Sequence, residues 1–167
     1  TATSCEREIS DEAVPATFNS SGEIFTDSPV GLTDDFFVSF DPNVGANTEG
    51  FGTDDNVSYE GSTSIRIDVP AADDPSGGFI GGIFRDRGEG RDLSGYDALT
   101  FWAKGSTTGT IGIVGFGTDF LEGKYPSGRP NMQLTTDWKK YVIPISDPSK
   151  LTQEKGMRVL IEPSDRR

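Results

Sequence analysis

A chain of 167 residues is long enough for one domain that buries about 70% of the surface its unfolded form exposes, so no covalent staple is required. The formal charge of -12 and an isoelectric point near 4.3 exclude nucleic acid and anionic membrane surfaces as partners, since both need clustered Lys and Arg. With no histidine the usual Ser and Cys triads and the commonest transition-metal ligand are excluded too, and the one cysteine, Cys5, cannot close an intrachain disulfide.

Residues 1–31 are polar and acidic, with brief apolar runs only at Ala16-Thr17-Phe18 and Ile24-Phe25, and read as a tether contributing at most one edge strand. Within it Ala2-Thr3-Ser4-Cys5 looks like the end of a bacterial lipobox, with Glu6-Arg7-Glu8 behind the cysteine. That resemblance implies a lipid on Cys5 and a place at the cell surface or outer membrane. No apolar run approaches the roughly 18 residues of a membrane span.

From Leu32 onward, strand candidates recur at short spacing: 36–40, 64–69, 78–85, 98–104, 110–116, 131–134, 140–145 and 157–161. Turn formers separate them, such as Asp41-Pro42-Asn43, Glu60-Gly61-Ser62, Pro75-Ser76-Gly77-Gly78 and Asp147-Pro148-Ser149. Ile65, Ile67 and Val69 share one face while Arg66 and Asp68 take the other, and Tyr141, Ile143 and Ile145 repeat that period of two. Such short, alternating segments predict an all-β fold, an antiparallel β-sandwich of the jelly-roll kind.

Three motifs in order carry a family resemblance: Tyr59-Glu60-Gly61-Ser62-Thr63-Ser64-Ile65-Arg66-Ile67, Asp92-Leu93-Ser94-Gly95-Tyr96-Asp97-Ala98-Leu99-Thr100-Phe101-Trp102-Ala103-Lys104-Gly105, and Thr136-Asp137-Trp138-Lys139-Lys140-Tyr141-Val142-Ile143-Pro144-Ile145. Over residues 32–156 the chain resembles jelly-roll, galactose-binding-like carbohydrate-binding modules, particularly those of Bacteroidetes surface lipoproteins and laminarinase-type proteins. The resemblance implies a module that captures polysaccharide, with a β-glucan such as laminarin as ligand class. It also implies one structural calcium near the first strand and the Tyr-Glu-Gly turn, held by Asp35, Glu60 and Ser62, although the closing-strand Asp of such sites is absent. The aromatic-x-Ile-Asp-Glu ending of these modules is missing as well. Either the chain is truncated or shifted in frame there, or another segment fills the gap; an unfilled gap would expose a sheet edge and favour a homodimer.

Sugars are held by aromatic rings against the apolar pyranose face and by polar side chains on the hydroxyls. The candidates are Trp102, which alternates outward if Phe101 is core, together with Phe84, Arg85 and Asp86 on one strand-to-loop passage and Phe116, Asp119, Phe120, Lys124, Tyr125 and Arg129 on another. Phe79 and Phe84 differ by five positions and point to opposite faces, so one of them belongs to the core. Trp138 reads as a ring packing over the sandwich edge.

Catalysis is not expected. Retaining laminarinase-type enzymes place both carboxylates on one strand as Glu-x-Asp-x-x-Glu, and no Glu in this chain is followed two positions later by Asp. The alternatives to glycan capture are a sandwich that contacts protein through an unpaired edge and, behind it, a hydrolase or lyase.

Overall fold

The computed structural model describes residues 22–27, 37–39, 42–85, 90–118 and 123–161, giving only the backbone course for 37–39, 116–118, 123–128 and 157–161. In chain order the strands are β1 (Phe37–Ser39), β2 (Phe51–Asp54), β3 (Ser64–Ile67), β4 (Ile80–Arg85), β5 (Ala98–Ala103), β6 (Gly109–Thr118), β7 (Gly123–Leu134), β8 (Lys139–Pro144) and β9 (Gly156–Ile161). Helix is confined among the described residues to two 3-10 turns, Pro42–Val44 and Pro148–Lys150. The protein is an all-β sandwich of antiparallel strands.

One layer is a five-stranded sheet in the order β1-β4-β9-β6-β7. Facing it are two ribbons, β2 with β3 and β5 with β8. The core lies between: Ile80, Phe84, Ile111, Val114 and Met132 from the sheet meet Leu99, Tyr141 and Ile143 from one ribbon, with Phe51, Ile65 and Ile67 of the other packed against them. Alternation does this in the ribbons, since Leu99 and Phe101 turn inward while Thr100 and Trp102 turn out. In β4 it does not, because Ile83 and Phe84 are neighbours and both are buried, so that strand is covered on both faces.

β9 fills the gap that the missing closing pattern suggested. Its backbone pairs with β4 on one side and β6 on the other, so Phe84, Met157 and Phe116 form one row, and Ile80, Ile161 and Ile111 another. A strand in mid-sheet suits its near-continuous apolar run, Met157-Arg158-Val159-Leu160-Ile161.

Two elements depart from the sequence expectation. β7 begins at Gly123 rather than Asn131, making 123–130 strand where turn formers suggested loop. Pro126 and Pro130 fit because β7 is an edge strand paired only with β6, where a missing N–H need not break a ladder on the free side. β2, with Gly52 inside it and Gly50 before it, carries too weak a strand signal to be expected.

Residues 22–27 are fastened to the sandwich. Ile24 packs against the core, and the buried Arg91 donates from its guanidinium to the carbonyl of Glu23. Arg91 is itself tied by two backbone hydrogen bonds with Glu154, of 2.8 and 2.7 Å. The Tyr141 hydroxyl donates to the Gln133 carbonyl at 2.6 Å, joining β8 to β7, and burial pushes this phenol above its ordinary pKa.

Candidate functional site

Three aromatic residues outside the core, Tyr59, Trp102 and Trp138, gather at one end of the β5–β8 ribbon. Trp102 projects from the outward face of β5 and remains 41% exposed. Its cross-strand partner is Lys140, and the next pair along the same face is Thr100 with Val142, itself exposed. Trp138, in the turn entering β8, is half-buried, with the Lys104 Nζ 5.5 Å from its ring centroid. Both tryptophans of the chain therefore lie at this corner.

The turn between β2 and β3 lays Tyr59 upon them. Its ring is stacked on Trp102 with centroids 3.9 Å apart and planes 11° off parallel, and it meets Trp138 edge-on at 5.9 Å and 62°. Although one face is covered by Trp102, Tyr59 is 46% exposed, which leaves its other face and rim to solvent. The result is a platform two rings deep, braced from the side by a third.

Local hydrogen bonds hold that turn in shape. The Asp54 carboxylate accepts from the amides of Asn56 and Val57, the Ser64 hydroxyl donates to the Val57 carbonyl, and the Ser58 hydroxyl donates to the Gly61 carbonyl. From the N-terminal segment, Asp27 Oδ1 accepts from the amides of Ser62 and Thr63 at 2.9 and 3.1 Å, while Oδ2 faces the Ser62 hydroxyl at 3.4 Å. The Ser62 and Thr63 amides hold the Asp27 carboxyl below the usual aspartate range. A depressed carboxyl contributes stability above its ordinary pKa and loses it as pH falls through the folded value. The turn should thus persist at neutral pH and loosen only below about pH 4, read as loss of near-ultraviolet dichroism from the stacked rings.

Gly61 is what lets Asp27 approach. It sits at φ +73°, and a Cβ there would collide with the Asp27 carboxylate. Gly61→Ala should cost about 1–3 kcal/mol in denaturant unfolding and reduce the same dichroism signal.

This geometry bears on the expected calcium. Of the three residues expected to hold it, Ser62 donates from both its amide and its hydroxyl to Asp27, and Glu60 is exposed. No group of three or more acidic or thiol ligands gathers among the described residues, and Asp35 lies outside them. What closes the described turn is a carboxylate on amides.

Of the other expected ligand residues, those on described strands fall on the opposite layer. The register that aligns Phe84, Met157, Phe116 and Ser127 across β4, β9, β6 and β7 brings both strand-to-loop passages to one end of the five-stranded sheet. Phe84 is not available there: only 5% exposed, it packs edge-on against Phe51 at 5.8 Å, and it is the core member of the Phe79 and Phe84 pair. Arg85 is half-buried next to it, and Arg129 is exposed on the edge strand opposite Val114. Lys124 and Tyr125 belong to β7 rather than to a loop, and Phe116 to β6; their side chains, like Asp86, Asp119, Phe120 and Cys5 entirely, lie outside the described residues. Trp102 therefore stands apart from those of its expected companions that lie on described strands. Its actual neighbours, Tyr59, Trp138, Lys104 and Lys140, were legible only as motif residues, not as a site.

No curated protein and no solved structure matches the chain. A family model described as Carbohydrate binding domain 30 matches residues 22–157, a span running from the segment that carries Asp27 through both tryptophans into β9. The chain belongs to the Carbohydrate binding domain 30 family.

Proposed function

We propose that the domain captures polysaccharide without cleaving it, that this polysaccharide is a β-glucan such as laminarin, and that the glycan lies on Tyr59. The observation that carries this reading is the Tyr59–Trp102 stack. A pyranose presents axial C–H groups on one face and hydroxyls around its rim, so it gains most from a flat ring bordered by polar groups. Tyr59 supplies the ring, Trp102 beneath it fixes the plane, and Lys140 and Thr100 border it on the outward face. Order in the turn, set by Asp27 and Asp54, keeps the loss of side-chain freedom on binding small. The absence of histidine and of a Glu-x-Asp-x-x-Glu strand supports capture over hydrolysis. A lipid on Cys5 would hold such a domain at the cell surface.

The test is calorimetry and affinity electrophoresis of the purified chain against laminarin, mixed-linkage β-glucan and an α-glucan, with reducing ends assayed in parallel. Saturable binding of a β-glucan with no release of reducing ends is the expected result. A folded protein that binds none of the panel would overturn the reading in favour of a protein-contacting sandwich, and release of reducing ends would mean a hydrolase.

A further inference from the structure

Among the residues whose side chains are described, three aromatic ones are exposed, and all three stand on the β5–β8 ribbon or against it. Tyr59 and Trp102 are stacked where β5 ends, whereas Tyr96, 40% exposed, lies at the other end, in the turn that enters β5. A single surface tyrosine needs no explanation; rings at both ends of one ribbon do.

Tyr96 has the parity of the outward face. The Ile145 amide donates to the Asp97 carbonyl at 2.8 Å, which carries the β5–β8 ladder one step before Ala98, so counting back by twos from Trp102 through Thr100 and Ala98 arrives at Tyr96. Between the two ends the outward pairs are Thr100 with Val142 and Ala98 with Pro144, and Thr100, Val142 and Pro144 are exposed. The rise of an extended strand puts Trp102 and Tyr96 about 20 Å apart. The far end has polar groups as well as a ring. Tyr96 borders an open depression of about 500 Å³ with Asp92, Ser94 and Gly95, where Asp92 Oδ1 accepts from the Ser94 amide and hydroxyl at 3.0 and 2.6 Å. One short segment braces both ends: Gly22 lies so close to Tyr96 that a Cβ there would overlap the ring, and Asp27 holds the amides of Ser62 and Thr63 in the Tyr59 turn.

Resting on the glycan reading of Tyr59, we infer that the binding site is the whole outward face of the β5–β8 ribbon: one sugar stacks on Tyr59, the chain runs over Thr100, Val142 and Pro144, and a later sugar meets Tyr96 with Asp92 and Ser94 at its hydroxyls. The ligand is then an internal stretch of a single extended polysaccharide, several units long, rather than a chain end. Once the first unit is seated, the contact at Tyr96 is intramolecular and gains from the effective concentration the chain supplies, provided the chain is long enough to span the face.

The experiment is calorimetry of the purified chain with laminari- and cello-oligosaccharides of two, four and six units. In the series that binds, the hexasaccharide should bind one to one and roughly tenfold or more tighter than the disaccharide, the order expected of a second ring contact. Tyr96→Ala should collapse the hexasaccharide-to-disaccharide ratio to the small statistical gain a longer chain has on a short site, whereas Tyr59→Ala should weaken every length. Equal affinity at all lengths overturns the inference and leaves glycan capture intact. So does an unchanged ratio in Tyr96→Ala, including the case in which all lengths weaken together because segment 22–27 has slackened. Two equivalents of hexasaccharide per protein would mean two separate sites and overturn it as well. If the folded wild-type protein binds neither series, the glycan reading and this inference fall together.

Discussion

Tyr59→Ala should weaken glycan binding by about 2 kcal/mol, roughly 30-fold, in calorimetry against whichever polysaccharide the wild-type domain captures. The size follows from position: Tyr59 is the outermost ring of the stack and carries its solvent-facing surface, and the Trp102 ring that its removal uncovers lies 3.9 Å further back. Trp102→Ala should do comparable harm by a different route, removing the floor that keeps Tyr59 within 11° of parallel. Melting temperatures should fall only modestly in either variant, since neither ring belongs to the core. Wild-type affinity in Tyr59→Ala would mean that the sugar lies elsewhere, with the end of the five-stranded sheet near Arg85 and Arg129 the first place to look.

Phe84→Ala should act in the opposite sense, costing about 3–5 kcal/mol of stability and leaving affinity per folded molecule unchanged. Phe84 is packed against Phe51 and sits in the sheet row that contains Met157 and Phe116, so its removal opens a cavity between the layers that a rigid strand buried on both faces cannot close. Against a typical domain stability of about 5–15 kcal/mol this is severe, and the melting temperature should fall by on the order of 10 °C. A variant with normal melting and lost binding would return Phe84 to the ligand site.

Legibility in the sequence followed the physics of each segment. β3, β5 and β8 announce themselves because one face meets the core and the other meets solvent, which writes a period of two. β4 is covered on both faces, and there parity cannot tell a core phenylalanine from a ligand-facing one. β7 was hidden by Pro126, Gly128 and Pro130, residues that mean turn in most contexts and edge strand in this one. The outward placement of Trp102 could be read from its neighbour Phe101, but its stacking partner could not. Tyr59 reaches it from a turn 43 positions earlier, and that turn is held by an aspartate 35 positions before Ser62. Such pairings depend on how the ribbons lie on one another, which no local pattern encodes. The lysines at the corner are scattered through two motifs in the sequence, and only the β5–β8 register collects them.

The place of β9 sets the order in which this domain can be made. β4 and β6 never touch as a ladder; each hydrogen-bonds the same late strand, so the middle of the sheet stays open until Ile161 is available. During synthesis the β5–β8 ribbon and the β6–β7 hairpin, both built from nearer partners, can close while β4 waits with its apolar residues uncovered. Pairings between residues so far apart close slowly, and the waiting edges are the species most prone to join another chain. A nascent chain of this protein should therefore become native in a late, cooperative step, and any version cut short of Gly156 should aggregate rather than fold.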